Sequence, residues 1–253
     1  MITNATAGTR IDEVADGIYR ISTPVSGLGG FSFNQYLVLD EKPLLFHTGP
    51  RRMFPLVREA IAAVMPVERL RYLGLSHFEN DECGAINEFL AMAPQASPLC
   101  GQLAAMVSVD DFADRKAHAL KDGETLALGR RSVRWLDTPH VPHGWECGFL
   151  FEESTRTLLC GDLVTQPGAE HEPLTTGDIL GPSEAMRGQM DYYAHSASTR
   201  PALERLAALQ PTTLACMHGS AWAGNGGELL LALADTLEAS RVAAPAMAGS
   251  IAS

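Results

Sequence analysis

The chain reads as an α+β protein in which two β-meanders, each accompanied by helices, stack face to face as a four-layered αββα sandwich. Three observations predict this. Short apolar stretches joined by tight polar turns recur in two blocks, residues 12–47 and 125–160, and helical periodicities follow each block. The chain has 253 residues, a length that one sandwich-like domain can fill. Sheets that each carry helices bury both faces only by stacking with the helices outside. An ordinary α+β domain is the alternative arrangement of the same elements.

In the first block, residues 12–22 form an opening strand pair broken at Asp16-Gly17, with Ile18 and Ile21 as apolar positions. After the glycine-rich stretch Ser26-Gly27-Leu28-Gly29-Gly30 come strands Ser32–Leu39 and Pro43–His47, turned one into the other by Asp40-Glu41-Lys42. From Arg51 to Met65 the residues Phe54, Val57, Ile61, Ala62 and Met65 recur at helical spacing, which marks an amphipathic helix. A strand over Arg71–Leu75 follows, then a helix over Gly84–Ala93, a short strand over Pro98–Gly101 and a helix over Gln102–Asp114. The second block holds strands Thr125–Leu128, Ser132–Asp137, Gly148–Glu152 and Thr157–Cys160. Residues 164–198 are rich in Gly, Pro, Thr and His without a period, and a loop of that length is expected to lie over a functional site. A helix over Pro201–Leu209, a strand over Thr212–Met217 and a helix over Gly227–Arg241 close the fold. Residues 1–242 are expected to form one domain and 243–253 a flexible tail.

The net charge is −11, from 30 acidic and 19 basic residues, so nothing attracts the chain to nucleic acid or to an anionic membrane surface. The N-terminal residues lack a signal-peptide pattern and no apolar run is long enough to span a bilayer, so a cytoplasmic protein is expected. Five cysteines stand without a CxxC pair, and no disulfide is expected. They read as small buried hydrophobes, although Cys83 and Cys147 stand beside candidate ligands.

Chemistry concentrates in Leu73–Ala85. His77, Glu79, Asp81 and Glu82 can each bind a metal, and they follow a strand and precede a helix, a junction where alternate residues face one way. A solvated acidic loop with one incidental histidine is the competing reading. Three later segments weigh against it, because each puts a ligand type directly after an expected strand: Asp137-Thr138-Pro139-His140, Cys160-Gly161-Asp162 and Cys216-Met217-His218. Strand ends on one edge of a sandwich converge, so these residues can meet His77, Glu79, Asp81 and Glu82.

The order His-x-Glu-x-Asp, Thr-Pro-His, Gly-Asp, His-Gly resembles the metallo-β-lactamase superfamily, and the glutamate two after the first histidine is similar to its flavodiiron, oxygen-binding di-iron (ODP) branch. Hydrolytic members typically have histidine where Glu79 stands. The resemblance runs from about Ile18 to Trp222 and ends in His218-Gly219-Ser220-Ala221-Trp222, similar to the His-Gly-x-x-Trp ending of that branch. It implies the metallo-β-lactamase fold, with His77, Glu79 and His140 on one iron, Asp81, Glu82 and His218 on the other, and Asp162 bridging them. Glu82 departs from the pattern, since the family usually has a second histidine there; direct ligation, ligation through water, or none are all open. His143 is read as an outer hydrogen-bond partner or a substitute for that missing histidine. His47, where relatives commonly carry aspartate, is read as supporting the motif loop from behind, and His171, His195, Tyr192 and Tyr193 as loop residues.

Glu79, Asp81, Glu82 and Asp162 bring four negative charges, a match for two divalent cations, and a carboxylate-rich set containing imidazole suits Fe, or Mn, better than Zn. Carboxylates also stabilise the higher oxidation state. The resemblance therefore implies a protein that binds or reduces O2 or NO, as an oxidoreductase or as an oxygen sensor, with electrons or signals passed through a separate protein. No flavin is expected on this chain alone, because it carries no glycine-rich flavin motif and ends without room for a flavodoxin domain. A homodimer is implied by the resemblance only. A dinuclear hydrolase of a thioester, lactone or phosphodiester is the alternative.

Overall fold

The two polar turns at Asp16-Gly17 and Asp40–Lys42 fold the first block back on itself, and the strands they join form the antiparallel half of a first sheet. In the computed structural model residues 1–27 and 30–243 are described; Leu28, Gly29 and the expected tail from residue 244 lie outside them. The first sheet runs in sequence order: β1 Ile2–Asn4, β2 Thr9–Ala15, β3 Ile18–Val25, β4 Phe31–Val38, β5 Leu44–Phe46, β6 Tyr72–Gly74, β7 Ser97–Gly101 and β8 His118–Leu120. Strands β1 to β5 pair antiparallel through hairpins, and β5 to β8 pair in parallel, each crossover carrying helical or irregular chain over the outer face.

The second sheet contains β9 Thr125–Ala127, β10 Ser132–Asp137, β11 Gly148–Glu152, β12 Thr157–Leu159, β13 Leu174–Thr175, β14 Thr213–Ala215 and β15 Ala221–Ala223, in the spatial order β13-β15-β14-β12-β11-β10-β9. Residues of both sheets form one apolar layer: Ile18, Tyr36, Val38, Leu44, Phe46 and Leu99 from the first meet Val133, Trp135, Leu150 and Leu159 from the second. Outside the first sheet pack α1 Phe54–Ala62, α2 Asn80–Cys83, α3 Ile86–Met92 and the segment made of α4 Gln102–Ala104, a π-helical turn Ala105–Val109 and α5 Asp110–Phe112. Outside the second lie α6 Leu180–Met190, α7 Thr199–Ala208 and α8 Gly226–Ala243. This is the expected αββα sandwich. Each fully buried Leu, Ile or Phe contributes about 1.5–3 kcal/mol, and the three apolar layers are what hold the four tiers together.

Several local expectations change. The stretch 164–198 is not structureless: it contains β13 and α6, whose buried residues, Ser183, Met186 and Arg187, include one apolar side chain and make no apolar stripe. Arg187 supports α6 instead, pairing with Glu184 and donating to Ser240 on α8. The expected helix 102–114 is divided by its π turn, and β1, β8, β13 and β15 are strands that the sequence reading does not include. Among the described residues no helix is long and apolar enough to cross a membrane.

Candidate metal centre

Parallel pairing fixes half of the site. Strands β12 and β14 run side by side with Leu159 opposite Ala215, so Asp162 and His218, each three residues further on, emerge together past the C-terminal ends of two inner strands of the second sheet. Gly161 makes the approach possible: it has φ +49, and a Cβ there would lie 2.8 Å from Ser76 Oγ. Buried side chains of the first sheet reach across to hold the His218 loop, with Arg20 Nη2 and Asn34 Nδ2 donating to the Gly219 carbonyl and the Tyr36 hydroxyl to that of Cys216.

The first sheet delivers the rest. β6 ends at Gly74, the chain turns through Leu75–Phe78, and Glu79 begins α2 in extended conformation, placing Asp81 and Glu82 in that helix's first turn, where acidic side chains are favoured. The Gly148 N–H donates to the Ser76 carbonyl (2.9 Å), joining this turn to the start of β11.

Around Asp162 these residues form two half-sites. Asp162 Oδ2 lies 3.6 Å from His77 Nε2 and 3.4 Å from His143 Nε2, while Glu79 Oε1 is 3.6 Å from His77 Nε2 and 3.4 Å from His143 Nε2. On the other side Asp162 Oδ1 is 3.5 Å from His218 Nε2, which is 3.5 Å from Asp81 Oδ2. Glu82, fully buried, points Oε1 toward His77 Nε2 at 3.9 Å, so it sits with the His77 half rather than beside His218.

The histidine assigned from the sequence to the first half-site is not in it. His140 is exposed and shares no hydrogen bond or ion pair with the cluster; His143 stands there instead. Past β10 the chain coils at once, Val141 N–H bonding the Thr138 carbonyl and His140 N–H that of Gly144, which leaves His140 at φ +65 on the outside and swings His143 inward. The adjacent Gly144 lies close enough to His77 that a Cβ would come within 3.2 Å of its Cβ. The sequence signal available is the glycine directly after His143, whose backbone at φ +73 lets the turn close against His77. Of the loop residues, Tyr193 is buried, Tyr192 packs against His143, His195 pairs with Asp191 at the surface, and His171 bonds the Gly168 carbonyl.

Two features of the donor set fit cations. His143 Nδ1–H donates to the Tyr192 carbonyl and His218 Nδ1–H to that of Ser32, so both Nε2 lone pairs face the cluster. The buried oxygens of Glu82 and Oδ1 of Asp162 have no hydrogen-bond donor, a cost that a bound cation removes. The electrostatics agree. His143 and His77 hold the Glu79 carboxyl far below its usual range. Burial opposes ionisation of Asp81, yet His218 beside it draws its carboxyl down to about 2. Glu82 moves the other way, pushed well up by burial and by Asp162 and Asp81. Burial would lower both His143 and His218, but Glu79 and Asp162 raise the first, and Asp81 and Asp162 the second. All five cysteines are buried among the apolar layers, and burial pushes Cys83 and Cys100 up to about 12.

Fold and site thus define a β-lactamase-type sandwich with a paired carboxylate and imidazole cluster at one end. Residues 31–219 match the sequence model described as ODP family beta lactamase, and the chain belongs to that family. It is 29% identical over 206 residues to the rubredoxin-oxygen oxidoreductase of Megalodesulfovibrio gigas, covering 77% of this chain and 50% of that protein. With the nitric oxide reductase of Moorella thermoacetica it shares 27% over 224 residues, 81% of this chain and 53% of the relative. The chain therefore spans about half the length of these curated relatives. Among solved structures, rubredoxin oxygen:oxidoreductase from Desulfovibrio gigas superposes with a TM-score of 0.74 at 23% identity, covering 89% of this chain and 61% of the other. A fragment, residues 1–254, of putative diflavin flavoprotein A 5 from Nostoc sp. PCC 7120 superposes at 0.81 and 18% identity, covering 92% and 97%. These likenesses concern the fold.

Proposed function

We propose that this chain is a non-haem di-iron protein that binds or reduces O2, or NO, with His77, Glu79, Glu82 and His143 facing one iron, Asp81 and His218 the other, and Asp162 between them. The observation that carries the reading is the division of Asp162, whose Oδ2 serves the His77 and His143 side while Oδ1 serves His218. His143 takes the place that the sequence gives to His140. Glu82, expected on the second metal, is closer to the first half-site. Glu79 supports redox chemistry over hydrolysis, because it supplies an anionic donor where hydrolytic members of the superfamily typically have a neutral one. The names of the two curated relatives, an oxygen oxidoreductase and a nitric oxide reductase, point the same way.

When bound, ferrous ions would supply electrons to the diatomic ligand. The protein's own residues fix three ring nitrogens toward that space and gather four carboxylates to balance the charge, with His77, Glu82, Asp162 and His218 buried and Glu79 on the open side where a diatomic ligand can enter. Electrons would come from a separate donor protein. We further read residues 1–242 as one cytoplasmic domain, able to pair with a second copy. Manganese or zinc in place of iron is an outcome of the same experiment: metal analysis with the optical spectrum of the reduced protein before and after O2. The expected result is two irons and a spectral change on oxygenation. Two zincs, no such change, and turnover of a thioester, lactone or phosphodiester would overturn the proposal in favour of a hydrolase. Steady O2 or NO consumption with a supplied reductant separates a reductase from a sensor, which would bind once and stop.

A further inference from the structure

Behind His77 runs a chain of hydrogen bonds that no part of the metal cluster uses. His77 Nδ1 is 2.9 Å from Ser76 Oγ, Ser76 Oγ is 3.0 Å from His47 Nε2, and His47 Nδ1 is 3.0 Å from Met217 Sδ. The backbone settles its direction. Ser76 N–H also points at His47 Nε2, at 3.3 Å, so that nitrogen is the acceptor and the proton of the His47 ring sits on Nδ1, directed at the Met217 sulfur. The Ser76 hydroxyl then donates to His47 and accepts from His77 Nδ1–H, which leaves His77 Nε2 bare and facing Glu79, Glu82 and Asp162.

The His47 ring is held firmly enough to impose this order. It is 1% exposed and stacks on Phe46 with centroids 4.3 Å apart and planes at 25°. Its backbone takes φ +65, a conformation that histidine adopts seldom, with its N–H on the Gly74 carbonyl. One ring thus touches the residue before His77 and the residue before His218.

We propose that His47 is a positioning residue for the metal centre: through Ser76 it fixes the tautomer and orientation of His77, and through Met217 it ties that ligand to the loop carrying His218. The inference rests on the dinuclear reading above and concerns residues that would touch no metal. Partners of this kind typically change metal affinity about 10–100-fold when removed.

The test is titration of Co(II) into metal-free protein, comparing wild type, His47→Phe, Ser76→Ala and the double variant. His47→Phe keeps an aromatic ring against Phe46 and removes both nitrogens; Ser76→Ala removes one oxygen and serves if the first variant fails to fold. Each single change should weaken one of two Co(II) sites about 10–100-fold and alter its visible absorption. The double variant should lose no more than the worse single one, because both cut the same chain. The exchangeable, hyperfine-shifted NMR signal of the His77 Nδ1 proton should be lost or exchange faster in Ser76→Ala. Wild-type affinity at both sites in both variants, or losses that multiply in the double variant, would overturn the proposal. Wild-type protein that takes up fewer than two Co(II) ions would instead overturn the dinuclear reading, and the inference with it.

Discussion

His143 Nε2 stands 3.1 Å from His77 Nε2, with the two rings edge to face at 89°. Both rings have Nδ1 engaged from behind, so two lone pairs meet over Asp162 unless a proton or a metal lies between them. A pair of neutral rings would not settle there by themselves.

The first prediction separates the two histidines of the loop. His143→Ala should reduce metal affinity by at least the roughly 10–100-fold seen for outer partners of ligands, and His140→Ala should leave stoichiometry and affinity unchanged. Equilibrium dialysis with metal analysis distinguishes them. The opposite ranking would restore the assignment made from the sequence.

Glu82 gives a pH signature. In the metal-free protein its folded pKa lies well above the ordinary 4.5, so the folded state holds a proton that the unfolded chain releases. Stability should therefore fall as pH rises from 4.5 toward the folded value, by up to about 1.4 kcal/mol per pH unit. His143 and His218, raised above 6.5, act in the same direction: their contribution is complete below 6.5 and lost as pH passes their folded values. Urea unfolding in chelator should show this decline, and Glu82→Gln should flatten its acidic part. A profile identical in the variant would remove Glu82 from the account.

Glu82→His should preserve the fold, because the change replaces one buried polar group by another at the first turn of α2, while altering the occupancy or oxygen reactivity of the centre. Unaltered metal content and unaltered spectra would mean that Glu82 is not a ligand.

Gly161→Ala should cost about 1–2 kcal/mol for the left-handed backbone, with a further loss because the new methyl presses on Ser76 Oγ and displaces Asp162. Denaturant midpoints and metal stoichiometry should fall together. A stable variant with two metals would show that the approach of Asp162 to Ser76 tolerates slack.

The native thiols should resist alkylation. All five are buried, and those of Cys83 and Cys100 stay protonated to about pH 12. Mass spectrometry after iodoacetamide treatment at pH 8 should find label only after denaturation. Rapid labelling of Cys83 or Cys147 in the folded protein would reopen a redox role for them.

Much of this was legible in the residues. The hairpin turns and the Phe54–Met65 periodicity located both sheets and their first helix, and six of the residues picked out from the sequence as ligand types, His77, Glu79, Asp81, Glu82, Asp162 and His218, stand together in the structure. The sequence offers His143 only as an outer partner or a substitute for the missing histidine, because the choice between two histidines three residues apart is made by backbone bonds at Thr138, Val141 and Gly144. Helix α6 was hidden because its stability comes from Arg187 contacts and not from an apolar stripe. The side on which Glu82 lies follows from the rotation of a four-residue helix, finer than any periodicity resolves.

Asp162 and His218 follow the strand ends of one sheet, while His77, Glu79, Asp81 and Glu82 follow a strand end of the other. A cation bound between them would act as a rivet through one end of the sandwich, offsetting the repulsion among the carboxylates gathered there. Loading and mechanical stiffness then become one variable. Metal at a thousandfold its dissociation constant would add about 4.1 kcal/mol, so the melting temperature itself becomes a gauge of how full the centre is.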